Sequence, residues 1–108
     1  MHRRASDGRR VLVAVSGDAV VVGYIHLEAH GHIDHLYCAP EAVSHGVAAR
    51  LYNAVEDLAK RSGIRSLHVE ASESARRLFD AKGFTVDARQ DFELRGVPIH
   101  NFAMSKAI

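Results

Sequence analysis

The hydrophobic pattern changes period along the chain. Near its start, "RRVLVAVSGD" and "AVVVGYIHLEAHG" are runs rich in β-branched residues that meet at Gly17-Asp18, and they read as two strands of a hairpin. "HIDHLYC" continues as a third strand, stopped by Pro40, which has no amide hydrogen to give to a sheet ladder. From Ser44 the spacing becomes helical. Val47, Leu51, Val55 and Leu58 form one stripe, Arg50, Glu56, Asp57 and Lys60 take the other side, and Gly63 closes the helix. "IRSLHVEAS" returns to a strand, and "ESARRLFDAKGF" is a short helix capped by Ser72 or Ser74 and ended at Gly83. "TVDARQDFEL", a turn at "RGVP" and "IHNFAMSKAI" make a second hairpin.

This order, ββ-β-α-β-α-ββ, predicts an α/β (α+β) fold: a mixed, mostly antiparallel sheet with a central parallel β-α-β unit. The strand, long helix and strand from "HIDHLYC" to "SLHVEAS" form a right-handed crossover, and the outer hairpins extend the sheet antiparallel. A ligand then belongs at the carboxyl end of the parallel pair, beside Cys38, Ala39 and the turn "EAVSHGVA". A chain of 108 residues makes one domain, 1–108, with residues 1–10 expected to be flexible.

Composition narrows the partners. Lys+Arg 14 against Asp+Glu 13 leaves a net charge of +1 with neither sign in blocks, so no nucleic-acid footprint is written in the charge pattern. Eight histidines make that balance sensitive to pH. Cys38 is the only cysteine, which excludes an internal disulfide and suits a reducing compartment. No apolar run approaches the roughly 20 residues of a membrane span, and "MHRRASDGRR" lacks the apolar core of a signal peptide. The expectation is a cytoplasmic domain with no membrane partner.

Candidate chemistry is concentrated between His30 and Arg50, in "HGHIDHLYCAPEAVSHGVAAR". A metal site needs converging ligands, and His30, His32 and Asp34 would share a face only if the strand began at His30. Gly31 is expected to break that register, so no metal is expected. Cys38 with His45 is a weak nucleophile reading, because a lone strand cysteine is more often a small buried hydrophobe. A third reading, level at this point with an ordinary capped helix start at "SHG", is a strand that runs into an anion-binding turn. A helix start leaves its first amides unpaired at the positive end of the helix dipole, Gly46 lets the backbone come close, and Val47, Ala48 and Ala49 keep side chains out of the way. Strand alternation puts His32, Asp34 and Leu36 on one face and Ile33, His35 and Tyr37 on the other. On the next parallel strand His68 and Glu70 share a face.

With these residues placed, the stretch from "GYIHLEAHGHIDHLYCAPEAVSHGVAARLYNAVEDLAKRSGIRSLHVEAS" through "ARRLFDAKGF" to "NFAMSK" resembles the GNAT superfamily of acetyl-CoA-dependent N-acetyltransferases. In that family a turn of the form Gln/Arg-x-x-Gly-x-Gly/Ala holds the coenzyme A pyrophosphate. Here it is Val43-Ser44-His45-Gly46-Val47-Ala48, with Val43 in place of the usual Gln or Arg. The resemblance implies that amides from Ser44 to Ala49 bind the pyrophosphate and that Leu36, Tyr37 and Cys38 lie on the strand that pairs with the pantetheine arm. The family's Asn-x-x-Ala-x-x-x-Tyr and Gly-Phe become Ser72, Ala75, Phe79, Gly83 and Phe84. In many relatives the tyrosine at this point lies near the coenzyme sulfur; the resemblance implies that Phe79 keeps that ring and loses the phenolic proton, which excludes it as the acid.

The implied reaction is direct transfer of acetyl from acetyl-CoA to a primary amine of a small-molecule or protein acceptor. Asp34 is the candidate base and His32 the reserve; Asp34 also reads as a strand-end carboxylate. The alternative is a non-catalytic coenzyme A or acetyl-CoA binding module, and a histidine-rich metal-binding protein ranks third. The family begins with a further strand and one or two helices, whereas about ten polar residues precede the first strand here, so the expected fold is N-terminally truncated. A missing edge strand favours a homodimer through the sheet.

Overall fold

The computed structural model describes residues 2–4, 10–15, 21–39 and 46–108. Among the described residues, seven strands and two helices follow in the order β1 (His2–Arg4), β2 (Arg10–Val15), β3 (Val21–Leu27), β4 (His32–Cys38), α1 (Val47–Arg61), β5 (Ser66–Ala71), α2 (Glu73–Ala81), β6 (Thr85–Leu94) and β7 (Val97–Ala107). They build one mixed sheet in the order β1-β2-β3-β4-β5-β7-β6. Only β4 and β5 are parallel; every other pair is antiparallel. The mixed, mostly antiparallel sheet with a central parallel β-α-β unit read from the sequence is therefore the observed one. The Gly17-Asp18 turn lies outside the described residues.

Both helices lie on one face of the sheet. Tyr52 of α1 meets Phe79 of α2 edge-on at 5.9 Å and Phe84 at 5.6 Å, while Phe79 and Phe84 are 5.0 Å apart. Around this aromatic group close Ile25, Leu27 and Ile33 from the sheet's first half, Leu67, Val69 and Met104 from its second, and Leu51, Val55 and Ala59 from α1. Burial of each large side chain contributes about 1.5–3 kcal/mol, so this single cluster is the main source of stability. The strand residues between these, among them Tyr24, His32, Tyr37, His68 and Glu70, look out from the opposite face.

Local sequence explains the ends of the helices. Ser72 caps α2 by accepting a hydrogen bond from the Ala75 amide, as its position predicts. Beyond α1, Gly63 takes a positive φ of 80° and the chain turns into β5. Gly23 answers a different need. A Cβ there would stand 2.8 Å from the Tyr37 carbonyl and about as close to Leu51 and Val47, so its bareness lets the start of α1 settle on β3.

Within the leader, His2–Arg4 pairs antiparallel with β2 as an edge strand. One expectation is corrected. The second hairpin turns at Arg95-Gly96 alone, with φ of 51° and 80°, and Val97 and Pro98 already belong to β7. Pro98 is tolerated because Val97 to Asn101 pair with β6 only, leaving that stretch of β7 without a second neighbour. No helix of the described residues is long and apolar enough to cross a membrane.

Candidate active site

The parallel pair does not stay paired. β4 and β5 are in register at His32↔His68 and Ile33↔Val69 and then part, although both strands continue. The cause lies on the other side of β4. Against β3, Leu27 faces Ile33 and Ile25 faces Leu36, so two residues of β4, Asp34 and His35, oppose the single His26. Such a bulge bends its strand and adds twist. It also overturns the strict alternation expected along β4. Ile33 is in the core, and Leu36 and Cys38 pack against that same core rather than on the opposite face.

The parting strands leave a cleft of about 230 Å³. Ile33, Leu36, Val69 and Phe79 give it an apolar lining, and Asp34, His35, Glu70 and Ser72 supply its polar groups. Asp34 Oδ2 lies 3.4 Å from His35 Nε2, a carboxylate against an imidazole at the mouth of an apolar slot. Of the predicted residues, the cleft thus gathers Asp34, Leu36, Ser72 and Phe79. Sequence reasoning missed His35 as a member. The signal was present: Ile33, Leu36 and Cys38 are apolar at spacings of three and two, which a strand can bury on one face only through a bulge at 34–35.

No phenol replaces the one that Phe79 lacks. Tyr52 lies beside it, but its hydroxyl donates to Glu56 at 2.7 Å, and neither residue lines the cleft. Burial, reinforced by that carboxylate, pushes the Tyr52 hydroxyl well above the ordinary tyrosine range and keeps it protonated.

The start of α1 stands at the end of β4. Gly46 is its N-cap with φ 71° and has no side chain to cap the first turn, and no acidic residue lies in that turn. The first helical bond runs from the Arg50 amide to the Gly46 carbonyl, which leaves the Val47, Ala48 and Ala49 amides facing forward. Val47 is buried and fixes this end against Gly23, the residue paired with Cys38, so the helix start sits over the end of β4 beyond the parting. Ser44 and His45, the first part of the predicted turn, lie outside the described residues. Cys38 is half-buried with its Sγ 3.7 Å from the Ala39 carbonyl, and Tyr37 is exposed on the opposite face, stacked on Tyr24 at 5.4 Å.

His32 is not part of the cleft wall. It sits on the sheet's open face with Nδ1 2.5 Å from Glu28 and Nε2 2.8 Å from Glu70. Burial alone would lower its pKa, but the two carboxylates outweigh that and hold it above the ordinary histidine value. Glu70 reaches both places, bonding His32 and lining the cleft.

What the arrangement offers chemically is an extended slot. From His35 to Cys38 the β5-facing edge of β4 has no strand partner among the described residues, so its amides and carbonyls can pair with an amide-bearing chain laid between the strands. One end of the slot opens at the glycine-capped start of α1, and the Asp34-His35 pair stands on its wall. The profile of the acetyltransferase (GNAT) domain matches residues 1–106. The chain belongs to the GNAT acetyltransferase family. Solved structures agree with this. A GCN5-related N-acetyltransferase from Rhodopseudomonas palustris is 33% identical with a TM-score of 0.83, the match covering 94% of this chain and 62% of that one. A GNAT-family acetyltransferase from Streptococcus pneumoniae has a TM-score of 0.82 at 20% identity, with 96% and 70% covered. An aminoglycoside 6'-N-acetyltransferase complexed with coenzyme A has a TM-score of 0.78 at 13% identity, with 92% and 72% covered, and these last two likenesses speak to the fold. The comparison with curated proteins finds no match. This GNAT domain thus spans less than two-thirds of the Rhodopseudomonas protein.

Proposed function

We propose that this GNAT domain transfers an acetyl group from acetyl-CoA directly to a primary amine. The observation that carries the reading is the parting of β4 from β5 beyond Ile33, leading to the forward amides of Val47 to Ala49, in a chain that matches the family over residues 1–106. The pyrophosphate would accept from those amides, a contact worth about 1 kcal/mol, or about 2 if partly buried. The pantetheine arm, with its two amides, would pair along Leu36 to Cys38. That places the thioester near Phe79 and the Asp34-His35 pair.

In the step itself the amine nitrogen attacks the thioester carbonyl and forms the amide C–N bond, the C–S bond breaks, and coenzyme A leaves. The ammonium proton goes to Asp34, with His35 at 3.4 Å as its relay to solvent. A thiol with a pKa of about 8.5 is a fair leaving group, so the step needs no acid from position 79. Further members of the same reading are a cytoplasmic setting, consistent with a single cysteine, and a homodimer. The dimer is supported by the β6–β7 hairpin, where the cross-strand pairs Phe92↔Ile99 and Leu94↔Val97 leave Phe92, Leu94 and Val97 exposed; sedimentation of the purified chain tests it.

The alternative, a coenzyme-binding module without turnover, is favoured by Phe79, which has no proton to give. Calorimetric titration with acetyl-CoA and coenzyme A, on wild type, Gly46→Asp and Gly46→Asn, tests the common part. Space is open around Gly46, so both variants share only the cost of its positive φ, and the added charge separates them. Binding retained by Asn and lost by Asp supports the reading. No binding by wild type overturns it.

A further inference from the structure

We propose that Glu28, His30 and His32 form a binding site for a divalent transition-metal ion of the zinc class, placed at the β3–β4 turn. One ligand atom from each of the three lies within 4.8 Å of the others. The sequence reading set a metal aside because Gly31 would break a strand beginning at His30, and Gly31 does break it. In doing so it folds a tight turn that puts His30 beside His32, with Glu28 in the place Asp34 was to fill. The backbone is fixed independently of any ion: the Glu28 amide donates to the His32 carbonyl at 2.9 Å, and the Gly31 amide to the Glu28 carbonyl at 3.0 Å. Gly31 itself has φ 99°, and a Cβ on it would stand 2.2 Å from the Ser66 carbonyl, so the turn is pressed onto the start of β5.

The donor set selects the metal. Zinc takes imidazole nitrogen and carboxylate oxygen at about 2.0–2.2 Å in a tetrahedron, and the side chains close from 4.8 Å by rotation on a turn that is already made. Two imidazoles with one carboxylate suit zinc, cobalt or nickel, whereas magnesium and calcium prefer oxygen alone. The surroundings fit as well. His32 Nε2 is held by Glu70 at 2.8 Å, so a proton on Nε2 leaves the Nδ1 lone pair directed toward Glu28, the carboxylate-backed arrangement that orients metal-bound histidines. His68 stacks 5.1 Å from His32 and 5.6 Å from His30. Its ring is close enough to both to serve as a fourth donor. His32 and His68 are also the first of the two residue pairs before β4 and β5 part. An ion here pins the root of the cleft.

The proposal stands apart from the acyl-transfer reading, and its test does not use activity. The untagged full chain is stripped with chelator and titrated with Co²⁺ under visible spectroscopy, and its melting temperature is followed with Zn²⁺ and with Mg²⁺. Expected are a tetrahedral Co²⁺ spectrum that saturates at one equivalent and is displaced by Zn²⁺, and a rise in melting temperature with Zn²⁺ only. His30 is exposed on the turn, so His30→Gln should melt like the metal-free parent and bind Co²⁺ at least tenfold more weakly. His100→Gln, which touches Glu73 far from the turn, should bind like wild type. Absence of a saturable spectrum, or undiminished binding by His30→Gln, overturns the proposal.

Discussion

Asp34 and His35 hold one pocket between them, and each makes the other more useful. A carboxylate beside an imidazole can take a proton inward and hand it outward, which neither does alone at the mouth of an apolar slot. Asp34→Asn keeps the shape and removes the basic oxygen. Acetylation measured by thiol release is expected to fall about 10²–10⁴-fold, the usual worth of a positioned base, while calorimetric binding of coenzyme A stays unchanged. A loss of less than threefold would give Asp34 back to its other reading, a strand-end carboxylate. That Asp34, Leu36, Ser72 and Phe79 come together was legible through the family resemblance, which supplies their motif positions, and they line one cleft. The direction of His32 was not legible. Alternation grouped it with Asp34 and Leu36, whereas the extra residue at 34–35 turns Leu36 to the core and leaves His32 between Glu28 and Glu70 on the far face.

The stripe of Val47, Leu51 and Val55 accounts for α1, and the Ser72 cap for the start of α2, because both signals act over a few neighbouring residues. What ties α1 to the end of the chain is long-range and silent in any such pattern. Glu56 Oε1 accepts from Lys106 of β7 at 2.5 Å and from Tyr52 at 2.7 Å, and Lys60 adds an ion pair at 3.4 Å. The Lys106 and Tyr52 hydrogen bonds hold the Glu56 carboxyl down at about 2 against an ordinary 4.5. A carboxyl lowered on folding stabilises the protein fully above its unfolded value and loses that contribution as pH falls toward the folded one. Lys106→Met should therefore cost about 1–3 kcal/mol at pH 7 in urea unfolding, and the gap to wild type should narrow steadily below pH 4.5. A gap that is constant from pH 7 to pH 3 would show that Lys106 acts through packing of its stem on Tyr52. The last hairpin was read from two strand-like runs, but not the insertion of β7 between β5 and β6, nor the positive φ of Arg95, a residue type that seldom marks such a turn.

Taken together, the molecule has one sealed face and one open face. Helices α1 and α2 close the first over an aromatic core. The second presents Tyr24, Tyr37 and the imidazoles of His26, His32, His35 and His68, with the cleft cut through from one side to the other. The coenzyme reading uses the helix side of that cut, and the amine and the metal reading use the open side, so Glu70, which touches both, links them.

All of this depends on how many residues lie between two facing pairs. Counting from Leu27 to Ile25 on β3 crosses one residue; counting from Ile33 to Leu36 on β4 crosses two. Deleting His35 would equalise the count, straighten β4 and let it zip onto β5 beyond Ile33. The shortened chain is expected to melt no lower than its parent in calorimetry and to bind no coenzyme A; retained binding would detach the opening from the count. A more regular sheet would be the less capable protein, since the receptor here is a deliberate miscount of one.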